Sequence, residues 1–135
     1  MSLITGLSGI NLLAVLVAGI VHTVIGLIWF MPKLFGKSWV ELTGKEMRPA
    51  NRWIPAGLIG HQVMAFVLAV IVNLANVTNV VGGMVVGISV CLGFMATLEI
   101  GELIWEKIPF ELFLIRVGNQ LLGLSSAGVI LAIWR

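Results

Sequence analysis

Four apolar runs, each long enough to cross a bilayer, follow one another with little between them, and this repetition constrains the fold more than any motif does. Windows of about 19 residues place the runs at about 10–30, 54–75, 80–105 and 111–134. A spanning helix takes about 20 residues, so four spans and their connections account for a chain of 135 residues. Only 10% of the residues are charged, against about 25% in an average soluble domain, and mean hydropathy is +1.10. The expected fold is an all-α integral membrane protein, a single four-helix transmembrane domain over residues 1–135 with no separate soluble domain. Met1 to Gly9 lacks the positive n-region of a signal peptide, and the apolar run after it exceeds a signal h-region, so it is read as leading into a retained first span.

Charge sets the expected topology. Pro32 stops the first span because proline disfavours helical geometry in the residue before it. The stretch 32–53 that follows carries Lys33, Lys37, Lys45, Arg48 and Arg52 against Glu41 and Glu46, and the positive-inside rule assigns it to the cytoplasm. The 76–79 connection is uncharged and falls outside, whereas 106–110, with Lys107, falls inside. Both termini are then outside: N-out/C-out. Trp29, Trp53 and Trp105 mark the inner ends of spans 1 to 3 and Trp134 the outer end of span 4, where indole rings favour the headgroup layer. The cations in one loop report on topology and on anionic lipid headgroups, each worth about 1 kcal/mol near the surface. They do not point to nucleic acid.

One segment is distinctive: Trp29-Phe30-Met31-Pro32-Lys33-Leu34-Phe35-Gly36-Lys37-Ser38-Trp39, an aromatic and glycine pattern at the end of span 1. With Asn11-Leu-Leu-Ala14 opening that span, Phe113-Leu-Ile and Gly123 in span 4, and the terminal Gly128-Val-Ile-Leu-Ala132-Ile-Trp134-Arg135, the chain resembles the small bacterial membrane proteins grouped as domain of unknown function 1761. The resemblance covers nearly the whole chain and implies a four-span bundle in a bacterial or archaeal inner (cytoplasmic) membrane; it brings no activity. Where members look like Ile-Asn in span 4, this chain has Ile115-Arg116. A faint internal echo accompanies it. Gly26-Leu-Ile-Trp29 before Pro32 is similar to Leu103-Ile-Trp105 before Pro109, and Gly60-His61-Gln62 to Gly118-Asn119-Gln120, the pattern of a parallel two-helix repeat.

Polar residues inside apolar spans carry the functional expectation, since an ionisable group at mid-span costs at least about 2.5 kcal/mol. At about 1.5 Å per residue, His61, Glu99 and Arg116 all come out roughly 8 to 10 Å from the cytoplasmic ends of their spans. His22 and Asn119 lie slightly deeper, Gln62 beside them, and Glu102 shares a helix face with Glu99. Convergence of these side chains predicts either an ion-paired layer that fixes helix register or a cavity for a proton, an ion or a small polar solute. His22 and His61 could join the two glutamates as metal ligands, but no compact ligand spacing is present, so neither metal nor cofactor is expected. No Ser/His/Asp set or phosphate-binding loop appears, and no catalytic residue is assigned.

Small residues form a second theme. Gly83-Met-Val-Val-Gly87, extended to Cys91, and the Gly123/Ala127 stripe permit close backbone approach, either within the chain or between copies. Cys91 is the only cysteine and reads as a small packing residue. Four thin spans enclose little volume, so a transport path would run in or between the subunits of a homo-oligomer. The leading expectation is a small oligomeric transporter or channel, and the alternative is a non-catalytic accessory protein whose polar layer is structural and whose basic loop binds lipid or a partner.

Overall fold

The computed structural model describes residues 3–47 and 54–135. Arg48, Arg52 and the expected anchor Trp53 lie outside the described residues. Among those described, all regular structure is helical.

A short helix α1 (Leu3–Leu7) is ended by Gly9, whose φ of +80° is left-handed backbone that glycine adopts at no steric cost. Asn11 then caps α2 (Leu12–Trp29), its side chain accepting from the backbone N–H groups of Leu13 and Ala14 at 3.0 and 3.2 Å. This satisfies two of the donors left orphaned at a helix start.

The distinctive aromatic segment folds into a compact turn and a short helix α3 (Gly36–Thr43), an element the sequence reading left within the loop. The Phe35 N–H donates back to the Trp29 carbonyl and the Gly36 N–H to the Met31 carbonyl, both at 3.1 Å. A Cβ at Gly36 would run into the Phe30 carbonyl oxygen, so only glycine fits. Trp29 stacks on Phe35 with centroids 4.4 Å apart, and Phe30 meets Trp39 edge-on at 6.5 Å.

Three further long helices complete the chain: α4 (Ile54–Leu74), α5 (Val80–Glu106) and α6 (Phe110–Ile133). With α2 they are long and apolar enough to cross a membrane; the 18 residues of α2 rise about 27 Å, close to the roughly 30 Å hydrocarbon core. α6 is the hub, packed against α2, α4 and α5, whereas α5 leans almost wholly on α6. Ala14, Ala18, Ala65, Leu68, Val72, Cys91, Leu124 and Ala127 meet in the core. The outer faces stay apolar, with Leu27, Ile59, Val81, Phe94 and Leu98 more than half exposed. A surface of this kind is untenable in water and natural against lipid, so the chain reads as a multi-pass membrane protein.

Arg135 gathers one end of the bundle, donating to the carbonyls of Val77 at 2.7 Å and Val72 at 3.4 Å and to the Asn76 side chain. A cation here also complements the C-terminal dipole of α4. Asn73 reaches the Gly6 carbonyl from the same place. Both chain ends and the 75–79 turn therefore share one end; the basic segment and the 107–109 turn share the other.

Candidate functional site

Two groups of polar side chains lie along the helices, one buried and one partly exposed, and α6 contributes to both. The first joins α2, α4 and α6. His22 is 2% exposed, and its imidazole stacks on that of His61 with centroids 4.4 Å apart and planes 17° from parallel. His22 Nε2 lies 3.1 Å from Gln120 Oε1; an amide oxygen only accepts, so Nε2 carries the proton. The Thr23 hydroxyl, one turn along, donates to the Gly19 carbonyl at 2.9 Å. A hydroxyl has a single proton, so in its 2.8 Å contact with His61 Nδ1 the threonine oxygen accepts and the histidine donates.

Small residues make room for this stack. A Cβ at Gly123 would collide with the His22 ring, and one at Gly19 with the Gln62 amide. Gln62 donates to the Leu16 carbonyl at 3.3 Å and holds α4 to α2. Gly123 thus faces an imidazole, not a helix backbone. Trp29, an expected interface anchor, instead donates from Nε1 to the Ile115 carbonyl at 3.0 Å and lies across Gly118. Trp105 and Trp134 are exposed at their helix ends.

The second group joins α5 and α6. Arg116 Nη1 lies 3.4 Å from Glu99 and 4.0 Å from Glu102, with the three side chains 31%, 24% and 48% exposed. Two carboxylates against one guanidinium leave one formal negative charge over. Among the described residues no hydrogen bond or ion pair connects this group to the histidine stack, so the single layer expected from depth is divided in two.

Helix α5 brings Glu99 to Arg116 by an irregularity. Gly83, Gly87 and Cys91 face α6 at intervals of four; an unbroken α-helix would continue the stripe near Phe94 and Leu98. Both are outward, 64% and 71% exposed. Residues Cys91–Ala96 instead form a π-helical turn, which inserts one extra residue, so the buried stripe resumes at Ala96 and runs on to Glu99. A second π turn occupies Glu102–Glu106. Upstream, Gly83 abuts the Gly128 carbonyl and Gly87 that of Leu124, which places the Gly-x-x-x-Gly stripe within the chain. Ala127 is buried in the core.

Asn119 stands apart. It is 7% exposed, and its Oδ1 is sealed from solvent without a hydrogen-bond partner. It lines a groove of about 560 Å³ with Thr23, Gly26, Phe30, Trp39, Leu58 and His61. Thr23 and Gln120 were absent from the candidate set. Gln120 was visible as a polar residue in a span; a threonine in an apolar helix gives no signal, because it satisfies its hydroxyl on its own backbone. No three His, Cys, Asp or Glu side chains among the described residues assemble a metal site.

Helices throughout the described residues, four of them long and apolar enough to cross a bilayer, with a few polar side chains set in an apolar interior and apolar outer faces, define the class: a small polytopic membrane protein. Within that class the chain belongs to the family described as protein of unknown function (DUF1761), whose pattern matches residues 13–132. No curated protein and no solved structure matches the chain.

Proposed function

We propose that this protein is a small transporter or channel of the cytoplasmic membrane for a proton, a cation or a small polar solute, working as a homo-oligomer with its basic segment inside and both termini outside. One observation carries the reading: α6 bears both polar groups, with Arg116 in a partly exposed, net-negative carboxylate group and Gln120, about one turn further along, on a buried imidazole stack. An uncompensated carboxylate attracts a cation or proton, and an imidazole is a group that can take up or pass on a proton. Ionisable groups inside spans commonly mark such pathways. The interior of one chain is filled by Leu68, Leu124, His22, Val72 and Cys91, which favours a path completed between copies.

Purified protein in proteoliposomes tests the proposal. Wild-type vesicles are expected to dissipate an imposed proton or monovalent-cation gradient faster than empty ones, and Glu99→Gln, which removes the surplus charge, should lower that flux at least tenfold. Equal flux in wild type, Glu99→Gln and empty vesicles across a broad panel of ions and small solutes refutes it.

The second reading, an accessory protein whose polar groups only lock the helices, is favoured by the placement of Arg116 between two carboxylates. A stoichiometric larger partner recovered from native membranes supports that alternative, and a pure homo-oligomer counts against it.

A further inference from the structure

We infer that the groove beside Asn119 is a binding site for a neutral phenolic amphiphile, whose hydroxyl hydrogen-bonds the Asn119 amide while its apolar body lies between α2, α3 and α4. The inference is independent of transport, because it concerns occupancy at equilibrium and stands whether or not the chain moves a solute.

Asn119 carries the argument. More than nine-tenths of this residue is buried, and Oδ1 has no partner, whereas buried polar groups in native proteins are almost always satisfied. Leaving a carbonyl unpaired away from water is costly. Rotation about the terminal torsion, which is broad for asparagine, presents either end of the amide to the groove. Gly26, which faces that amide, leaves room there: a Cβ would sit 3.8 Å from Oδ1.

The walls decide the rest of the ligand. Leu27, Phe30, Trp39, Met47, Ile54 and Leu58 supply hydrocarbon and aromatic surface; the polar groups, Thr23, His61 and Asn119, share the groove with them. Among the described residues no carboxylate, lysine or arginine lines it, so these walls offer a charged ligand no counter-ion. The volume of about 560 Å³ lies within the range of roughly 300–1,000 Å³ typical of small-molecule sites.

Depth excludes an ordinary lipid. His61 is seven residues into α4 from the basic end and Asn119 nine into α6, about 10 and 14 Å along the helices. A phospholipid holds its polar head at the interface and would set methylenes against Asn119. The groove differs: Thr23, His61 and Asn119 place polar groups deep, and Trp39, Met47 and Ile54 lie toward the basic end. Its occupant inserts a hydroxyl first. A phenol meets both ends of the amide, since its O–H donates and its oxygen accepts, and its ring matches Phe30 and Trp39.

The test uses the full chain in phosphatidylcholine nanodiscs and two probes of nearly equal shape, radiolabelled 4-butylphenol and butylbenzene, with empty discs subtracted. Wild type should bind butylphenol saturably, one per chain, and about tenfold or more tighter than butylbenzene, the discrimination expected where a buried polar group is satisfied by only one of the two. Asn119→Leu should erase the preference. Gly57→Leu keeps the amide but fills the groove, and should weaken both probes; a Cβ there meets nothing within 4 Å, so this variant decides the matter should Asn119→Leu fail to insert. Equal binding of the two probes to wild type, as for a groove that takes hydrocarbon only, overturns the inference. So does binding unchanged in Gly57→Leu, or an absence of saturable binding above empty discs. Loss of flux in Glu99→Gln with the butylphenol preference intact would separate this site from the proposed transport function.

Discussion

Alanine at Gly87 should destabilise the bundle more than alanine at any lipid-facing glycine, and the size of the effect follows from the α5–α6 contact. An added Cβ would stand 2.7 Å from the Leu124 carbonyl carbon and 2.8 Å from Ser125 Cα, where ordinary contact begins at 3.4 Å. Both opposing atoms are backbone in a continuous helix, so neither can swing aside. Relief requires the helices to part by at least about 0.7 Å, a distance that also loosens Gly83 against Gly128. Overpacking of this kind costs about 1–3 kcal/mol. Against it stands the helix-propensity gain of alanine over glycine, about 1 kcal/mol. Gly60 isolates that gain, for a Cβ there meets nothing within 4 Å. Gly60→Ala should therefore be neutral or up to about 1 kcal/mol more stable, and Gly87→Ala should fall below it by about 1–3 kcal/mol, a factor of roughly five to 150 in the folding equilibrium. Reversible unfolding in mixed detergent micelles, followed by far-ultraviolet circular dichroism, measures both. Matching midpoints for the two variants would refute the account of close helix approach.

Two further predictions concern α2 and α5. Trp29→Phe keeps a ring against Phe35 but deletes the donor to the Ile115 carbonyl; that carbonyl keeps its place in the α6 ladder, so the loss should be about 0.5–1.5 kcal/mol in the same unfolding assay, and a loss above 3 kcal/mol would mean the indole does more than this bond and its packing. Deleting Gly93 should convert the Cys91–Ala96 turn to α-helix and leave Glu99 facing Arg116, whereas inserting one alanine after Leu98 should turn Glu99 away by about 100°, the rotation per residue of a helix. Disulfide trapping between cysteines placed at Glu99 and Arg116 reads the difference: cross-linking in the deletion and none in the insertion is expected, and the reverse order would contradict the register argument.

The spans were legible because lipid is a demanding solvent: 20 apolar residues in succession have few other uses. The meeting of Glu99 with Arg116 was legible from their matched distances along adjacent spans. Facing was not. In a soluble helix apolar periodicity reveals the inner side, but where lipid and interior are equally apolar it carries little information. Leu98 and Ala96 read alike in sequence, yet one is outward and the other buried. Nothing in Cys91-Leu-Gly-Phe-Met-Ala96 announces a π turn, so depth alone merged two polar groups into one. The histidine stack needed Gly123, a residue read as a partner for another helix, which makes space for an imidazole instead. In the basic stretch, the short pattern Gly36-Lys-Ser-Trp-Val-Glu-Leu-Thr43 was too brief to separate from its surroundings, though Gly44 at φ +66° closes it as helix C-caps commonly do.

The two halves of α5 do different work on the same partner. At the end shared with the chain termini, glycine meets glycine and backbone touches backbone; midway, the Cys91 thiol lies 3.9 Å from the Val117 carbonyl; beyond the π turn the contact is Glu99 with Arg116, and packing between the helices has thinned to a few residues. The contact thus passes from glycines to a cysteine and then to a glutamate–arginine pair, tapering like a wedge toward that end. The charges sit in the mouth of that wedge, partly exposed, where long side chains can pair without burying a full ion pair in hydrocarbon, the arrangement that desolvation would penalise most. A change of angle between α5 and α6 would pivot on the glycines, where no side chain must repack, and open first at Glu99, Glu102 and Arg116. The residues that make the interface tight therefore lie at the end away from the charges, and the surplus carboxylate lies at the position where such a change of angle would first admit water or an ion.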